Sequence, residues 1–323
     1  MNRAKIVVTR GIPEPALDLL RAAGNTWVSP HDRPLELEEL HQAVAGADAV
    51  VAPLHDRIDD ALLTAAGPRL RVVANVAVGY DNIDVEACTR RGVIVTNTPG
   101  VLTDATADIA LALILISTRR LGESERLVRT EKAWSWSMFF QLGSGAQGKT
   151  LGIVGLGQIG RATAHRARAL GMEIAYSGRR QAEAAVEAEL GARYLPFDEL
   201  LPTADVVSLH CPLTPETRHL IDAAAFRRMK STAFLINTTR GAVVDEAALV
   251  AALREGTIAG AGLDVYEHEP IVHPGLLELE NVVLLPHLGS ATVETRTAMA
   301  VLAANNVLAV LRGEPPLTQV RAS

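Results

Sequence analysis

Short apolar runs alternate with longer amphipathic segments through the first hundred residues. The runs are rich in β-branched residues, and the segments between them are rich in Ala, Leu, Glu and Arg: KIVVTR, ALDLLRAAG, ADAVVAP, DDALLTAAG, LRVVANVAVG, IDVEACTRRG and VIVTNTPG. Continuous apolar runs of this length are typical of strands in parallel sheets, and the segments between them suit helical crossovers. We therefore predict an α/β fold for this part of the chain.

The same alternation returns after a long apolar helix, which the sequence VLTDATADIALALILISTRRL predicts from residue 101. Strand-like runs then follow from Lys149 onward: TLGIVGLG, EIAYSG, ARYLPFDELL, ADVVSLHCPL, STAFLINTTRG, IAGAGLDVYE and VVLLPHLG. This succession predicts a second doubly wound parallel sheet, in a Rossmann-like domain over residues 99–286. The tail holds one further helix, VETRTAMAVLAANNVLAVLRG, which we expect to pack on the first domain. That domain would then be discontinuous, with residues 1–98 and 287–323 in a flavodoxin-like fold.

Composition is typical of a globular protein, and the net charge favours a small-molecule ligand over nucleic acid or a membrane. The chain has 323 residues, of which 48% are hydrophobic and 21% charged, and its formal net charge is -6. This charge does not favour nucleic acid or an anionic membrane as a partner. The longest apolar run, Ile109–Ser117, is too short for a membrane span, and the amino terminus leads directly into a strand, so we expect a cytoplasmic protein. Cys88 and Cys211 have no neighbours at zinc-ligand spacing, so we expect free thiols and no metal site.

A glycine-rich turn opens the second series of strands. Gly155, Gly157 and Gly160 fit the pattern G-x-G-x-x-G between an apolar strand and a helix, and Gln158 and Ile159 lie at the start of that helix. In dinucleotide-binding turns the first glycine permits the tight turn, the second lets a pyrophosphate approach, and the third lets helix and strand pack closely. The helix directs free N–H groups and its positive dipole end at the phosphates. The alternative is that the glycines serve only a tight turn, and the βα units on both sides argue against it.

The end of the next strand distinguishes between the two nicotinamide dinucleotides. An NAD site usually has Asp or Glu about 20 residues beyond the first glycine, where the acid binds the ribose hydroxyls and would repel a 2′-phosphate. Here that position is Ser177, followed by Arg179 and Arg180, whose guanidinium groups suit a phosphate. We therefore predict NADP(H) as the preferred cofactor, with NAD(H) possible. Alternatively, the two arginines are solvated surface charges.

Three stretches at the ends of late strands carry residues suited to acid–base chemistry. INTTRGAVVDE contains Arg240, GLDVYEHEP contains Glu269, and LLPHLGSAT contains His287. The carboxyl ends of the strands in a doubly wound sheet form the ligand crevice, so these three side chains could converge there. Taken singly, each also has a structural interpretation, as a surface cation, an acidic-loop residue and a turn histidine.

These motifs give the chain a resemblance to the D-isomer-specific 2-hydroxyacid dehydrogenase family over essentially its whole length. The matching motifs are NVAVGYDNIDVEACTRRGVIVTNTPGVLTDATAD, GIVGLGQIGRA, LHCPLTPETRHLI, NTTRGAVVDEAAL, GLDVYEHEP and LLPHLGSAT. The sequence SGRR, at residues 177–180, and the C-terminal segment with the last helix are most similar to those of glyoxylate/hydroxypyruvate reductases. The resemblance implies that residues 99–286 bind the dinucleotide and that the discontinuous domain binds the substrate. The implied reaction reduces a small 2-oxo acid, glyoxylate to glycolate or hydroxypyruvate to D-glycerate.

The resemblance also implies a role for each candidate catalytic residue. Arg240 would bind the substrate carboxylate and keto oxygen, and its guanidinium would polarise the carbonyl. His287 would donate a proton to the carbonyl oxygen as hydride reaches the carbon. Glu269 would hydrogen-bond that imidazole and orient it. We interpret His210 as a structural residue and His268 as a loop residue.

Substrate contacts are implied for four further positions. The backbone N–H groups of Val78 and Gly79 would receive the carboxylate, since glycine lets the chain approach closely. Leu54 would line the pocket, or else be an ordinary core residue. Ser290 would bind a substrate hydroxyl, or else cap a helix.

Cofactor contacts beyond the glycine turn are implied at seven positions: Thr106 and Thr217 at phosphates or ribose, Cys211 and Pro212 beside the adenosine, Asp264 at the nicotinamide amide, and Thr238 and Gly289 without a specified contact.

The loop before the glycine turn departs from the family pattern. Related reductases often carry W-x-x-W there, and one tryptophan closes a neighbouring subunit's site, whereas Trp134 and Trp136 are separated by one residue. The contribution of either tryptophan stays open, but the aromatic stretch 134–140 still predicts a dimer arm and hence a homodimer.

Other functions stay open beside a glyoxylate or hydroxypyruvate reductase. Among enzymes these are a broader 2-ketoaldonate or 2-oxo acid reductase and a D-3-phosphoglycerate dehydrogenase. The second is less favoured because we expect no regulatory domain here, although that family includes short forms. From a different class, a dinucleotide-sensing corepressor of the same fold would keep the catalytic residues. The sequence has no long disordered tail or basic targeting run, which argues against that class.

Overall fold

The computed structural model describes residues 3–130 and 133–321. Its strands are β1 (Lys5–Val8), β2 (Asn25–Val28), β3 (Ala49–Ala52), β4 (Val72–Asn75), β5 (Ile94–Thr96), β6 (Thr150–Val154), β7 (Glu173–Ser177), β8 (Ala192–Tyr194), β9 (Val206–Leu209), β10 (Phe234–Asn237), β11 (Gly260–Leu263), β12 (Val282–Leu284) and β13 (Gln319–Val320). Its α-helices are α1 (Glu14–Ala23), α2 (Leu37–Val44), α3 (Asp60–Ala66), α4 (Val85–Arg90), α5 (Thr103–Thr118), α6 (Leu121–Arg129), α7 (Gln158–Ala169), α8 (Ala184–Leu190), α9 (Phe197–Thr203), α10 (Ala223–Arg228), α11 (Glu246–Arg254), α12 (Pro274–Leu277) and α13 (Val293–Arg312). Within those residues, no helix combines the length and the apolar character that a bilayer crossing requires.

The chain forms two compact units, and the first comprises the described residues up to Leu102 together with those from Ala291. Its sheet has the order β13-β5-β4-β3-β1-β2, parallel throughout except where β13 pairs with β5. β1 to β5 therefore follow the flavodoxin-like order 2-1-3-4-5. Because successive side chains of a strand point to opposite faces, Ile6 and Val8 pack with α1 and α13, and Val7 packs with α2, α3 and α4.

The tail helix α13 returns to the first unit, and it packs on α1, β3 and β4. Small residues make this close approach possible, since Ala300, Ala303 and Ala304 are at most 1% exposed. The helix completes the apolar layer on one face of the sheet. The first unit is therefore discontinuous in sequence.

The second unit comprises Thr103–Ser290. Its parallel sheet has the order β12-β11-β10-β9-β6-β7-β8, so its first six strands follow the Rossmann order 3-2-1-4-5-6. Helices α5, α7 and α8 cover one face, and α9 to α12 cover the other. The strand order reverses between β6 and β9, which is the point where doubly wound sheets bind ligands. The predicted α/β class with two Rossmann-like sheets is confirmed.

Both unit boundaries lie four residues beyond the predicted ones, at 102/103 and 290/291. The reason at the second boundary is a set of hydrogen bonds to Asp264. Its main-chain oxygen accepts the His287 N–H at 2.8 Å, and its carboxylate accepts the N–H groups of Leu288 and Gly289 at 2.6 and 2.7 Å. These bonds keep the segment after β12 with the second unit.

The long helix predicted from residue 101 is shorter than expected. α5 ends at Thr118, Arg120 adopts a left-handed φ of 53°, and a separate helix, α6, begins at Leu121. The Ser144 N–H donates to the Thr118 carbonyl at 2.7 Å, which satisfies one of the carbonyl groups that the helix end leaves unpaired.

Candidate active site

The three predicted catalytic residues follow neighbouring strands of the second unit's sheet. Arg240 follows β10, Glu269 follows β11 and His287 follows β12, and these strands are adjacent in that order. The carboxyl ends of parallel strands lie at one edge of a sheet, so the fold brings all three residues to the same edge. The Nδ1 atom of His287 lies 2.8 Å from Oε2 of Glu269. Both side chains are largely but not fully buried, at 24% and 19% exposure.

The hydrogen bonds of Glu269 orient the imidazole. Its Oε1 atom accepts the Tyr266 N–H at 3.0 Å, and its Oε2 atom is directed at Nδ1 of His287. A histidine bound through Nδ1 presents Nε2 on the opposite side of the ring, where it can exchange a proton with a ligand. His268, in the same loop, is exposed.

A buried carboxylate holds the backbone on which His287 lies. His287 has a φ of 55°, which is uncommon for a residue with a Cβ atom. Asp264 is 1% exposed, both its carboxylate oxygens accept N–H groups of the two residues after His287, and burial raises the pKa of its carboxyl group. The Thr106 hydroxyl donates to the Gly289 carbonyl at 3.1 Å. Asp264 and Thr106, both predicted to contact the cofactor, thus hold this loop.

A second buried carboxylate, which the sequence analysis missed, supports the loop after β11. Glu246 is 4% exposed and accepts the Glu267 N–H at 2.7 Å, and burial raises its pKa. The Tyr266 hydroxyl donates to the Leu285 carbonyl at 2.8 Å, which joins the loop to β12. The feature of the sequence that could have identified Glu246 is the acid pair in VVDE. Asp245 caps α11, whereas the side chain of Glu246 is buried.

The position of Arg240 depends on two neighbouring residues. The Asn237 side chain donates to the Arg240 carbonyl at 3.0 Å and accepts the Thr239 N–H at 3.0 Å. A Cβ atom on Gly241 would lie 1.8 Å from the carbonyl carbon of Tyr266. Only glycine therefore lets the loop after β10 lie directly against the loop after β11.

The predicted glycine turn lies at the point where the strand order reverses. Gly155 has a φ of 97°, and a Cβ atom there would lie 2.8 Å from the backbone nitrogen of Cys211, just after β9. A Cβ atom on Gly160 would lie 2.4 Å from the Gly155 carbonyl oxygen, so α7 packs directly on the turn. In contrast, a Cβ atom on Gly157 would meet nothing within 4 Å. The first N–H groups of α7, from Gln158 and Ile159 onward, have no partner within the helix. The turn therefore has the open approach and the free donors that a pyrophosphate requires.

The end of β7 carries Ser177 in place of the usual acid, followed by two exposed cations. Ser177 is buried, and its carbonyl accepts an N–H of the glycine turn at 2.8 Å. Arg179 and Arg180 are exposed, and neither forms an ion pair with a residue that the structure describes. The Tyr176 hydroxyl accepts the Ala182 N–H at 2.8 Å and so fixes the loop that carries both arginines.

The loop after β9 is closed by its own hydrogen bonds. The Thr217 hydroxyl donates to the Pro212 carbonyl at 2.6 Å and accepts the Thr214 N–H at 2.7 Å. Cys211 is buried, and burial raises the pKa of its thiol to about 11, so this cysteine is not an activated nucleophile. The predicted cofactor contacts of these residues stay predictions.

Two buried polar atoms at adjacent strand ends have no partner among the described residues. They are Nδ1 of His210, after β9, and the hydroxyl of Thr238, after β10. His210 is held through Nε2, 2.9 Å from the Ser208 hydroxyl, and burial lowers its pKa to about 4. An uncharged imidazole and a hydroxyl with spare hydrogen-bonding capacity suit a polar ligand in this crevice.

The remaining predicted positions are found in three places. Leu54 follows β3 and is half-buried, and Val78 and Gly79 follow β4 in the first unit. The cap of α13 is Thr292, whose hydroxyl accepts the Thr295 N–H at 3.1 Å, so the alternative interpretation of Ser290 as a helix cap is wrong.

The aromatic stretch before the glycine turn is exposed. Trp134 stacks on Phe140 with ring centroids 6.0 Å apart, while Trp136 is 71% and Phe139 86% exposed.

Among the residues described, no group of three or more His, Cys, Asp or Glu side chains is placed to hold a metal ion.

Comparison of the sequence with known proteins shows the family to which the chain belongs. The family profile described as D-isomer specific 2-hydroxyacid dehydrogenase, NAD binding domain, matches residues 111–289. A glyoxylate reductase of Thermococcus onnurineus is 48% identical over 322 residues, which cover 98% of this chain and 96% of that protein.

Solved structures agree with the sequence matches. A glyoxylate reductase from Paecilomyes thermophila is 36% identical with a TM-score of 0.89, and the match covers 99% of each chain. An NADPH-dependent glyoxylate/hydroxypyruvate reductase from Sinorhizobium meliloti, in complex with NADP and malonate, is 36% identical with a TM-score of 0.85. That match covers 99% of this chain and 97% of the other.

Proposed function

The chain belongs to the D-isomer-specific 2-hydroxyacid dehydrogenase family, and we propose that it reduces small 2-oxo acids, glyoxylate to glycolate and hydroxypyruvate to D-glycerate. The observation that carries the proposal is the Glu269–His287 pair, with 2.8 Å between Oε2 and Nδ1, at the sheet edge that also carries Arg240. The substrate class is supported by the relatives whose names state it, from Thermococcus onnurineus and Sinorhizobium meliloti.

Each residue of this edge has a distinct part in the proposed reaction. A bound reduced nicotinamide dinucleotide supplies the hydride. Arg240 binds the substrate carboxylate and keto oxygen and draws electron density from the carbonyl carbon. His287 gives a proton from Nε2 to the keto oxygen, while Glu269 fixes the ring through Nδ1. In the reverse direction, the neutral imidazole takes the proton back from the hydroxyl group.

The cofactor fits the residues at the point where the strand order reverses. The open approach at Gly157 and the N–H groups at the start of α7 suit the pyrophosphate. We further propose that NADPH is preferred over NADH. Ser177 provides no charge that would repel a 2′-phosphate, and Arg179 and Arg180 are exposed beside it. The relative from Sinorhizobium meliloti is named as NADPH-dependent.

A homodimer is part of the proposal. The exposed side chains of Trp136, Met138 and Phe139 support it, since aromatic residues and methionine are enriched at protein interfaces. The roles of Leu54, Val78, Gly79 and Ser290 toward the substrate are likewise proposed from the family resemblance.

The test compares initial rates with glyoxylate and with hydroxypyruvate, each with NADPH and with NADH. We expect turnover of both acids and a clear preference for NADPH. The double variant Arg179→Ala with Arg180→Ala should raise KM for NADPH at least about tenfold and leave KM for NADH nearly unchanged, because charge-assisted bonds to a phosphate are lost. Arg193→Ala, which removes an exposed arginine from the adjacent β8, is the matched control. Equal use of both cofactors by the wild type would contradict the NADPH preference, and no turnover with either would contradict the reductase activity.

A further inference from the structure

We propose that Asn75 and Asn97 are positioning residues for the substrate carboxylate, because they hold the turn at Val78 and Gly79 with its N–H groups directed outward. The inference rests on the proposed function, which assigns these two N–H groups to the carboxylate. It concerns the first unit alone.

Three consecutive carbonyl groups of this turn are bound from within the unit. The acceptor and donor pairs are Ala77 O with the Thr98 N–H at 2.9 Å, Val78 O with Asn97 Nδ2 at 2.9 Å, and Gly79 O with Asn75 Nδ2 at 2.7 Å. In a trans peptide the N–H points opposite to the C=O of the same unit. The N–H groups of Val78 and Gly79, which share peptide units with the first two carbonyls, therefore point away from these donors.

The two N–H groups lie on the same side of the turn. Along a regular strand successive carbonyl groups alternate in direction, but the carbonyls of Ala77 and Val78 both face one segment, residues 97–98 after β5. Their partner N–H groups are therefore directed to a common side, and neither donates to another described residue. Successive N–H groups arranged in this way form a concave site for an anion. A planar carboxylate next to a keto group, as in a 2-oxo acid, has the charge and the two oxygens to accept both.

Both asparagines are themselves held in place. Asn75 is completely buried, and its Oδ1 atom accepts the Asn82 side chain at 3.4 Å. The Thr318 hydroxyl donates to the Asn97 carbonyl at 2.6 Å, and the Asn97 N–H donates to the Thr318 carbonyl at 3.3 Å. Asn306 of α13, also completely buried, binds the hydroxyl and the N–H of Thr318 at 2.8 and 3.0 Å. The C-terminal segment, through Asn306 and Thr318, thus supports the turn at Val78 and Gly79 as well as the apolar core.

Loss of the Asn97 side chain would free the Val78 carbonyl and let its peptide unit rotate. The N–H of Gly79 would then be misaligned, and the carbonyl oxygen could face the carboxylate and repel it. The substrate carboxylate takes no part in bond making, so it is bound equally in the ground state and the transition state. The loss should therefore raise KM and leave kcat nearly unchanged.

The test measures KM and kcat for glyoxylate at saturating NADPH in Asn97→Ala and Thr318→Val. We expect KM to rise about tenfold in Asn97→Ala, the effect of one lost hydrogen bond, with kcat and the Kd for NADPH within about twofold. Thr318→Val should give a smaller rise in KM, because it loosens only the support of Asn97. Asn281→Ala is the matched control, since its side chain likewise donates to main-chain carbonyls, here those of Leu253 and Ala259, but before β12 and away from the candidate site.

Calorimetric binding of oxalate, a planar analogue of the substrate, repeats the comparison without turnover. About tenfold weaker binding to Asn97→Ala than to the wild type supports the inference, whether or not glyoxylate is reduced. Equal oxalate affinity with equal KM overturns it, as does a wild type that binds no oxalate. A rise in KM accompanied by parallel decreases in kcat and in NADPH affinity in Asn97→Ala would also overturn it, because these changes together would show a general structural defect. A wild type that binds oxalate but reduces neither 2-oxo acid contradicts the proposed function alone.

Discussion

Replacing Asp264 by Asn should reduce turnover strongly and leave dinucleotide affinity nearly intact. The carboxylate accepts the N–H groups of Leu288 and Gly289 at 2.6 and 2.7 Å, directly after His287. An asparagine keeps one acceptor oxygen, but its amide NH₂ then faces the other N–H group. One hydrogen bond to a charge is therefore weakened, and the other is replaced by a contact between two donors.

The size of the effect follows from these two bonds. A hydrogen bond to a charged group contributes about 1.5–3 kcal/mol, and an unsatisfied buried donor costs a similar amount. His287 has a φ of 55°, so its loop adopts this conformation only while the surroundings hold it. If the conformation of the loop that aligns His287 is destabilised by about 3 kcal/mol, kcat should decrease on the order of 100-fold.

The assay combines kcat for glyoxylate with the Kd for NADPH from a fluorescence titration. Asp205→Asn is the matched control, because Asp205 also accepts a backbone N–H, that of Thr150 at 2.9 Å, but it precedes β9 at the opposite edge of the sheet. We expect the control to lower Tm without loss of kcat. If Asp264→Asn keeps its kcat, then the carboxylate is not what aligns the His287 loop. If the variant instead weakens NADPH binding by the factor that it removes from kcat, then Asp264 acts on the cofactor and not on the loop.

Two further predictions concern pH and close packing. Burial lowers the pKa of His210 to about 4 from 6.5, so between these values the unfolded chain binds a proton that the folded chain does not. The free energy of unfolding should therefore fall as the pH drops from about 6.5 to about 4, by about 3 kcal/mol from this group. Urea unfolding should show a smaller fall in His210→Asn, and identical pH dependence of both proteins would refute this. Gly241→Ala should lower kcat more than about tenfold, because its Cβ atom would displace the loop that holds Glu269, whereas Gly11→Ala, whose Cβ atom meets nothing within 4 Å, should not. Equal kcat in the two variants would contradict the predicted displacement.

The fold and the ends of the strands could be predicted from the sequence because they depend on local patterns. The alternation of apolar runs and helical segments requires parallel strands, and parallel strands place the loops after them at one edge of the sheet. Arg240, Glu269 and His287 lie after three adjacent strands, so their position at that edge could be anticipated.

The contacts that the sequence did not predict depend on which atoms meet in three dimensions. The sequence identified Asp264 as a site residue, but not that both its oxygens bind the loop of His287. Nothing in the spacing of Asn75 and Asn97 shows that both bind one turn, because this depends on the pairing of β4 with β5. The buried Glu246 was missed because an acid at the start of a helix is usually solvated and stabilises the helix dipole.

The central claim is that His287 supplies the proton in a hydride-transfer reaction on a 2-oxo acid. The most direct measurement is the rate of NADPH oxidation by glyoxylate in the wild type and in His287→Ala, at NADPH concentrations that saturate both proteins. We expect the wild type to turn over and the variant to lose about 10²–10⁴-fold in kcat with nearly unchanged NADPH affinity. A variant that retains the rate of the wild type would show that another group supplies the proton.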